Sequence, residues 1–315
     1  MNDIIPVDSK LPVLPEDNPA VVYIASLQSE SSRRVMRHAL NTIAAITSDN
    51  TLELMTYPWA GLRYKHTIAI KTLLAEKYAP ATVNRMLSAL RRTLQEAWRL
   101  GYMSAEDYHR AVDFDGLQNE KLPTGRYVSQ DEVKTMLDSC LRDSTARGIR
   151  DAAIIGVLYA GLRRAEVARL KREHYTRDTG RLVVKESKHH KDRVVFLDDG
   201  AIAALDDWLS IRGEQPGPLF TGTNQRGDIQ LSGITSQTVY NVVDQRQKEA
   251  GILEPLTPHD FRRSAVSDLL DQGVDIATVA NLMGHKNTDT TKRYDRRGEQ
   301  TMQKAVKTRR LPYKE

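Results

Sequence analysis

Several features that would narrow the class of protein are scarce or missing in this 315-residue sequence. Cys140 is the only cysteine, so we expect neither an intramolecular disulfide nor a cysteine metal site, and a reducing cytoplasm is the expected compartment. No run of about 18 apolar residues occurs, so no membrane span is expected. The first 20 residues lack a basic segment followed by a long apolar one, so no secretory signal is expected. A hydrophobic content of 40% and a charged content of 28% are typical of a globular chain with room for two cores.

The basic charge is concentrated in one part of the chain. The net charge is +5. Residues 31–112 hold 12 Lys and Arg against 6 Asp and Glu, whereas residues 1–30 hold 1 against 5 and residues 113–120 hold 0 against 3. A basic surplus of this kind favours a nucleic-acid partner, although a solvated helical surface would also account for it.

Changes in pattern predict four segments. Residues 1–20 hold four prolines and are interpreted as a flexible lead-in. Residues 21–112 have helical periodicity, and residues 113–126 are polar and are interpreted as a linker. Residues 127–315 form a second domain, with a C-terminal tail from about residue 298. Two β-rich runs at 181–185 and 193–197 predict a hairpin in that domain. The predicted fold is therefore mainly α with a small β-sheet.

The clearest predicted helix follows Pro80 and ends at Gly101. Its apolar positions have helical spacing. Arg85, Arg92 and Arg99 recur every seven residues and so lie in one stripe on another face. This stripe is either a set of solvated surface charges or a contact with a phosphate backbone.

Four places in the second domain hold polar residues that core packing does not require. They are Arg163 after a glycine break, Lys188 and Lys191 in the hairpin loop, His259 with Arg262 in the first turn of a predicted helix, and His285 nine residues before Tyr294. Each place alone is best explained as ordinary surface. Together they supply the groups that a metal-free phosphoryl transfer needs. These are arginines that bind phosphate oxygens, a tyrosine nucleophile, a histidine base and a lysine acid.

The ordered set of AGLRRAEV, the hairpin lysine, HDFR and GHKNTDTTKRY resembles that of the tyrosine site-specific recombinases, also called the phage integrase family. The basic helical segment resembles that family's core-binding domain, and residues 127–315 its mixed α/β catalytic domain. The resemblance implies a role for each residue of the set. These roles are Tyr294 as nucleophile forming a 3′-phosphotyrosine, Arg163 and Arg262 as phosphate ligands, Lys188 (or Lys191) as general acid, His259 as proton acceptor, His285 as phosphate-orienting group and Glu166 as support for Arg163.

The resemblance also implies partners and assembly. It implies double-stranded DNA with an inverted-repeat site, a homotetramer that exchanges strands through a Holliday junction, accessory directionality proteins, association with the nucleoid, and no metal or other cofactor. The C-terminal tail would dock on a neighbouring protomer. After HDFR the family more often continues with His and Thr, whereas Arg263 and Ser264 follow here.

Two other interpretations remain at this stage. One is a type IB topoisomerase or hairpin telomere resolvase with the same catalytic residues. The other is a DNA-binding regulator of the same fold that has lost its chemistry.

Overall fold

A computed structural model of the chain describes residues 17–118, 125–185, 192–224, 229–285 and 287–292. The chain divides into two compact units, Met1–Leu122 and Pro123–Glu315. Each unit has its own buried apolar cluster, so each is described by itself.

The described part of the first unit is helical. Asn18 and Ser29 cap its first two helices through side-chain oxygens that accept backbone N–H groups. The helices are α1 (Pro19–Ser26), α2 (Glu30–Thr47), α3 (Tyr64–Lys77), α4 (Pro80–Arg99) and α5 (Ala105–Ala111), with a 3₁₀ turn at Trp59–Gly61.

Helix α4 is the central element of this unit. It contacts α1, α2, α3 and α5, because its apolar residues recur at helical spacing and face the core. Gly101 follows the helix with a φ of 79°, a conformation that suits glycine at a helix end. Trp98, which the periodicity assigns to the apolar face, is 38% exposed and stacks on Tyr108 with ring centroids 5.3 Å apart.

Part of the segment interpreted as a linker packs on α4. The Asn84 side chain accepts a hydrogen bond from the Leu117 amide at 2.7 Å and donates one to the Leu117 carbonyl at 2.8 Å. The Arg91 guanidinium lies 4.2 Å from the centroid of the Phe114 ring. Residues 113–118 are therefore ordered against the first unit, while residues 119–124 lie outside the described residues.

The second unit combines helices with two small antiparallel sheets. The helices are α6 (Gln130–Arg142), α7 (Ala146–Tyr159), α8 (Arg164–Val167), α9 (Asp199–Arg212), α10 (Ser236–Glu249), α11 (Pro258–Asp271), α12 (Ile276–Met283) and α13 (Thr288–Lys292). The strands are β1 (Tyr175–Thr176), β2 (Arg181–Val184), β3 (Arg193–Phe196), β4 (Thr221–Thr223) and β5 (Ile229–Gly233). The sheets have the strand orders β1-β2-β3 and β4-β5.

The predicted hairpin is confirmed as β2 and β3, which pair Leu182 with Val195 and Val184 with Arg193. The mainly helical fold class is confirmed as well. The β4–β5 sheet was not anticipated, because β4 is only three residues long and has no apolar side chain, although β5 alternates apolar and polar residues.

The core of the second unit surrounds α7, whose residues from Ala152 to Leu158 are buried. Gly156 allows α9 to approach closely, since a Cβ at this position would lie 3.2 Å from the Ala201 Cα atom. A charged residue of α7 itself is also buried. Asp151 is 1% exposed and accepts hydrogen bonds from Arg150 at 2.7 Å and from Arg246 at 2.8 Å. Two cations therefore compensate this buried carboxylate.

Across the residues that the structure describes, every helix is too short or too polar to cross a membrane. That same part of the chain contains no group of three or more His, Cys, Asp or Glu side chains arranged to hold a metal ion.

Candidate active site

The turn between α7 and α8 places the first arginine of the predicted set. Gly161 has a φ of 89°, and a Cβ there would lie 2.7 Å from the Met283 Sδ atom. This position therefore favours glycine for its backbone conformation, and a larger residue would also require the end of the Met283 side chain to move. Arg163 then caps α8, and its backbone N–H donates to the Glu166 Oε2 atom at 2.8 Å. The local capping geometry thus joins Arg163 to Glu166.

Glu166 lies between two arginines. Its Oε1 atom accepts from Arg163 Nη1 at 2.6 Å and from Arg193 Nη1 at 3.0 Å, and its Oε2 atom accepts from Arg193 Nη2 at 2.7 Å. The residue is 4% exposed. Burial would raise the pKa of Glu166, but the hydrogen bonds and charge of Arg193, together with those of Arg163, lower it to about 2. Glu166 is therefore ionised at neutral pH.

The C-terminus of α12 is the point where three arginines meet. The Leu282 carbonyl accepts from Arg193 Nε at 3.0 Å, the Met283 carbonyl accepts from Arg262 Nη2, and the Gly284 carbonyl accepts from Arg163 Nη2 at 3.0 Å. Carbonyls at a helix C-terminus lack partners within the helix and carry partial negative charge, so cations are favoured there. Arg163, Arg193 and Arg262 are called the arginine cluster below.

The same helix end fixes the backbone of His285. Gly284 is left-handed, with a φ of 62°, and the His285 N–H donates to the Ala280 carbonyl at 2.8 Å. This is a Schellman ending, which sets the direction of the chain immediately after the helix. The His285 Nδ1 atom lies 2.8 Å from the hydroxyl of Thr291, which is fully buried on α13. Hydrogen bonds therefore hold both the backbone and the ring of His285.

Both histidines of the set are held neutral near pH 7. Burial, followed by the charges of Arg262, Arg163 and Arg193, lowers the pKa of His285 to about 4. His259 is exposed, yet partial desolvation and then the charge of Arg262 lower its pKa as well. A neutral imidazole can accept a proton, which an imidazolium cannot do.

The first turn of α11 has the predicted arrangement. Thr257 precedes Pro258 at the first helical position, and the Thr257 N–H donates to the Asp260 Oδ2 atom at 2.8 Å. Arg262 is 3% exposed, and its Nη1 atom donates to the Gly161 carbonyl at 2.8 Å. Arg262 therefore contacts both the turn that precedes Arg163 and the end of α12.

The two departures from the family pattern have structural roles here. The Arg263 Nη1 atom donates to the Gly125 carbonyl, and the Ser264 hydroxyl accepts from the Val128 N–H at 2.7 Å. Both side chains therefore attach the start of the second unit to α11, outside the arginine cluster.

Two residues of the predicted set, Lys188 and Tyr294, lie outside the described residues, as does Lys191. The described chain reaches Lys185 on one side of the hairpin loop and Asp192 on the other, and the Lys185 Nζ and Asp192 Oδ2 atoms lie 2.5 Å apart. The structure therefore brings together Arg163, Glu166, Arg262 and His285, while the positions of the lysine and the tyrosine remain predictions.

Arg193 is the member of this site that sequence reasoning missed. Its side chain is only 9% exposed. The alternation along β3 contains the signal: Arg193 and the buried Val195 are two apart and share one face of the strand. A charge on the buried face of a strand requires a partner.

The arginines on α4 form an exposed row. Arg85, Arg92 and Arg99 are all exposed. Arg92 donates to Gln95 at 2.8 Å and Arg99 to Glu96 at 2.9 Å, both on their own helix. Exposure agrees with either interpretation, so their contact with DNA remains a prediction.

Residues 126–300 match the model of the phage integrase family. The chain is 28% identical over 282 residues to the tyrosine recombinase XerA of Pyrococcus horikoshii, covering 84% of this chain and 95% of that protein. It is 30% identical over 225 residues to the tyrosine recombinase XerD of Listeria innocua, covering 70% of this chain and 72% of that protein.

Solved structures share the fold. The Tn1549 transposon integrase in complex with a circular intermediate DNA has a TM-score of 0.67 at 13% identity, covering 92% of this chain and 99% of that one. A lambda integrase dimer bound to a COC′ core site has a TM-score of 0.66 at 16% identity, covering 90% of this chain and 95% of that one.

The family match covers more than half of the chain, and the fold and the clustered arginines and histidines agree with it. The protein is therefore a tyrosine site-specific recombinase, an enzyme that cleaves and rejoins DNA. It belongs to the phage integrase family, with Xer recombinases among its relatives.

Proposed function

We propose that this protein cleaves DNA at a specific site by attack of Tyr294 on a phosphodiester and stays joined to it through a 3′-phosphotyrosine. The observation that carries the proposal is the meeting of Arg163, Arg262 and His285 at the end of α12. The sequence reaches Tyr294 nine residues after His285. A nucleophile therefore follows the cationic site closely along the chain.

Arg163 and Arg262 would bind the non-bridging oxygens of the scissile phosphate. Guanidinium forks match the geometry of phosphate oxygens and stabilise the charge that spreads over them in the transition state. Backbone carbonyls already orient both side chains, so less ordering is needed when DNA binds. The Arg163 side chain is 39% exposed, which leaves it accessible to a phosphate.

The two histidines would have different roles, because they lie at different positions in the site. His259, which is neutral and exposed, would accept the proton of the Tyr294 hydroxyl as the Oη–P bond forms. His285 would donate a hydrogen bond from Nε2 to a phosphate oxygen. In that tautomer the Thr291 hydroxyl donates to Nδ1, in agreement with the 2.8 Å separation.

The leaving oxygen would receive its proton from the hairpin lysine. As the bond from phosphorus to O5′ breaks, Lys188 would protonate O5′, with Lys191 as the alternative donor. The energy of the broken bond is kept in the phosphotyrosine, so a second 5′-hydroxyl can attack it and rejoin the strand. This scheme requires no metal or nucleotide, because Arg163 and Arg262 supply the positive charge at the phosphate.

Both units would contact DNA. Residues 21–112 would act as the core-binding domain and residues 127–315 as the catalytic domain. The exposed arginines of α4 would lie along the phosphate backbone, and binding would weaken steeply with salt. The solved complexes of lambda integrase and the Tn1549 integrase with DNA support this assignment by their shared fold.

Four protomers would synapse two inverted-repeat sites and exchange strands through a Holliday junction at the nucleoid, with accessory proteins setting the direction. The C-terminal tail of one protomer would dock in a pocket of about 750 Å³ on the second unit of its neighbour. The lining of this pocket includes Phe196, which is 60% exposed, and the acidic residues Asp198, Asp268 and Asp271. Residues 295–315 hold 7 Lys and Arg against 3 Asp and Glu, so the charges of the tail and of the pocket are of opposite sign.

The decisive experiment is capture of covalent protein–DNA adducts under denaturing conditions from cells that express the tagged chain, followed by sequencing of the bound DNA. The control is Tyr294→Phe, which removes only the attacking oxygen. We expect adducts with the native tyrosine alone, concentrated at one inverted-repeat sequence.

Other outcomes would contradict the proposal in different ways. Scattered adducts would favour a type IB topoisomerase or telomere resolvase. Equal non-covalent occupancy by both forms, without any adduct, would favour a DNA-binding regulator.

A further inference from the structure

Arg193 links three elements of the second unit, β3, α8 and α12, whose relative positions the reaction must preserve. It is the first residue of β3. Its guanidinium donates twice to Glu166 on α8, at 3.0 and 2.7 Å, and once to the Leu282 carbonyl on α12, at 3.0 Å. Arg262, by comparison, donates to backbone carbonyls at Gly161 and Met283. Arg193 therefore reaches the carboxylate that orients Arg163 and the helix end that orients His285.

The packing around Arg193 leaves its side chain little conformational freedom. Its side chain is 9% exposed and Glu166 is 4% exposed. A Cβ at Gly284 would lie 3.1 Å from the Arg193 Cδ atom, so the stem of Arg193 lies directly against the turn that leads into His285. A shift of this side chain would displace that turn.

The contacts of Glu166 explain why one arginine is not sufficient. Arg163 uses its backbone N–H and one Nη atom on Glu166, and its other Nη atom on the Gly284 carbonyl. Arg193 supplies the remaining two hydrogen bonds to the carboxylate. A buried carboxylate with four N–H donors keeps one orientation, whereas one with two donors can rotate or take up a proton.

We propose that Arg193 is a positioning residue of the recombinase reaction: through Glu166 and the Leu282 carbonyl it holds the Arg163 guanidinium and His285 in the arrangement that binds the scissile phosphate. It acts through these groups and does not touch the phosphate itself. This inference rests on the proposed function, because it assigns Arg193 a part in the same cleavage step.

The test is single-turnover cleavage by the full chain. The substrate is a nicked synthetic duplex carrying the sequence at which adducts accumulate, so that cleavage traps the covalent adduct. We expect Arg193→Met to lower the rate constant of adduct formation by about 10- to 100-fold, because small displacements of positioned groups have effects of that size. The dissociation constant for the same duplex should change less than about twofold, since Arg193 makes no DNA contact in this scheme. Arg193→Lys keeps the positive charge but cannot donate two parallel hydrogen bonds to the carboxylate, so it should recover part of the rate.

Two further readouts separate positioning from general stability. In a Glu166→Gln background, Arg193→Met should have little added effect on the rate, because the group through which it acts is already changed. In the Arg193→Met variant, the fall of the rate in acid should move to higher pH, because Glu166 has lost the partner that keeps it ionised. A purely structural defect would lower the amplitude of the reaction and leave the rate constant and pH profile of the folded fraction unchanged.

The matched control is Arg177→Met. Arg177 forms an ion pair with Asp206 at 2.8 Å on the same unit, outside the arginine cluster, so its replacement should leave the rate unchanged. An Arg193→Met rate equal to that of this control, with wild-type adduct present, would overturn the inference and leave the proposed function intact. Absence of adduct with the wild-type chain would overturn the proposed function and this inference with it.

Discussion

Replacing Glu166 by Gln is the perturbation whose size follows most directly from the structure. The substitution keeps the shape of the side chain and removes the charge between Arg163 and Arg193. The pKa of Glu166 is lowered from 4.5 to about 2, which corresponds to about 3 kcal/mol of stability at pH 7. Because the carboxylate is 4% exposed, screening by solvent does not reduce this value greatly. We therefore expect the free energy of unfolding of the second unit to fall by about 3 kcal/mol.

The stability that Glu166 contributes should depend on pH in a direction set by its lowered pKa. A carboxylate with a lowered pKa stabilises the fold above its ordinary pKa and loses this contribution as the pH falls towards the folded value. The difference between wild type and Glu166→Gln should therefore be full at pH 7 and shrink to about half near pH 3.

Urea unfolding followed by tryptophan fluorescence measures this effect. Trp208 is fully buried in the second unit, whereas Trp59 and Trp98 belong to the first, so the variant should change the transition reported by Trp208. Glu214→Gln is the control, because Glu214 pairs with Arg172 but is 56% exposed, and exposed pairs contribute at most about 1 kcal/mol. A loss at pH 7 no larger than that of the control, or one that does not change with pH, would refute the reasoning.

Three more predictions concern other parts of the site. Gly161→Ala should destabilise the second unit by about 1–3 kcal/mol and slow cleavage, because alanine is strained at the φ of 89° that this turn adopts; an unchanged urea midpoint would contradict the assigned strain. Ser264→Ala should cost about 1–2 kcal/mol by leaving the Val128 N–H without its acceptor, while the single-turnover cleavage rate stays near that of wild type. The pKa of His285 is lowered to about 4 in the folded protein, so protonation should reduce the free energy of unfolding as the pH falls from 6.5 to 4. His285→Gln should remove this contribution, so the free energies of unfolding from urea titrations at pH 6.5 and pH 4 should differ less than they do for wild type.

Local sequence signals were sufficient wherever short-range geometry decides the structure. The capping box of Ser129 and Glu132 starts α6, and it is visible in the sequence because its partners are three residues apart. Thr257 and Pro258 start α11 in the same way. The β2–β3 hairpin is confirmed because β-branched runs with turn signals between them pair locally. The β4–β5 pair was not predicted, because β4 is three residues long and has no apolar side chain to mark it as a strand.

Contacts between distant segments could not be read in this way. Trp98 has the spacing of a core residue, yet it is partly exposed and stacks on Tyr108 of the next helix. Arg263 and Ser264 looked like neutral departures from a family pattern, but they tie the start of the second unit to α11. Such roles depend on which residues approach from elsewhere in the chain.

The sequence by itself determined the chemical set: arginines, histidines, a lysine and a tyrosine in one order, with the mainly helical fold and the family to which they belong. This information lies in residue identity and spacing, and it requires no knowledge of how the chain packs. Only the tertiary structure decided how the set is held. Three arginines, at the N-cap of α8, on β3 and on α11, converge on consecutive carbonyls at the end of α12. One of them, Arg193, follows the hairpin-loop lysines, and the sequence alone assigned it no role. A helix end exposes carbonyls that need donors, and folding alone determines which side chains reach them.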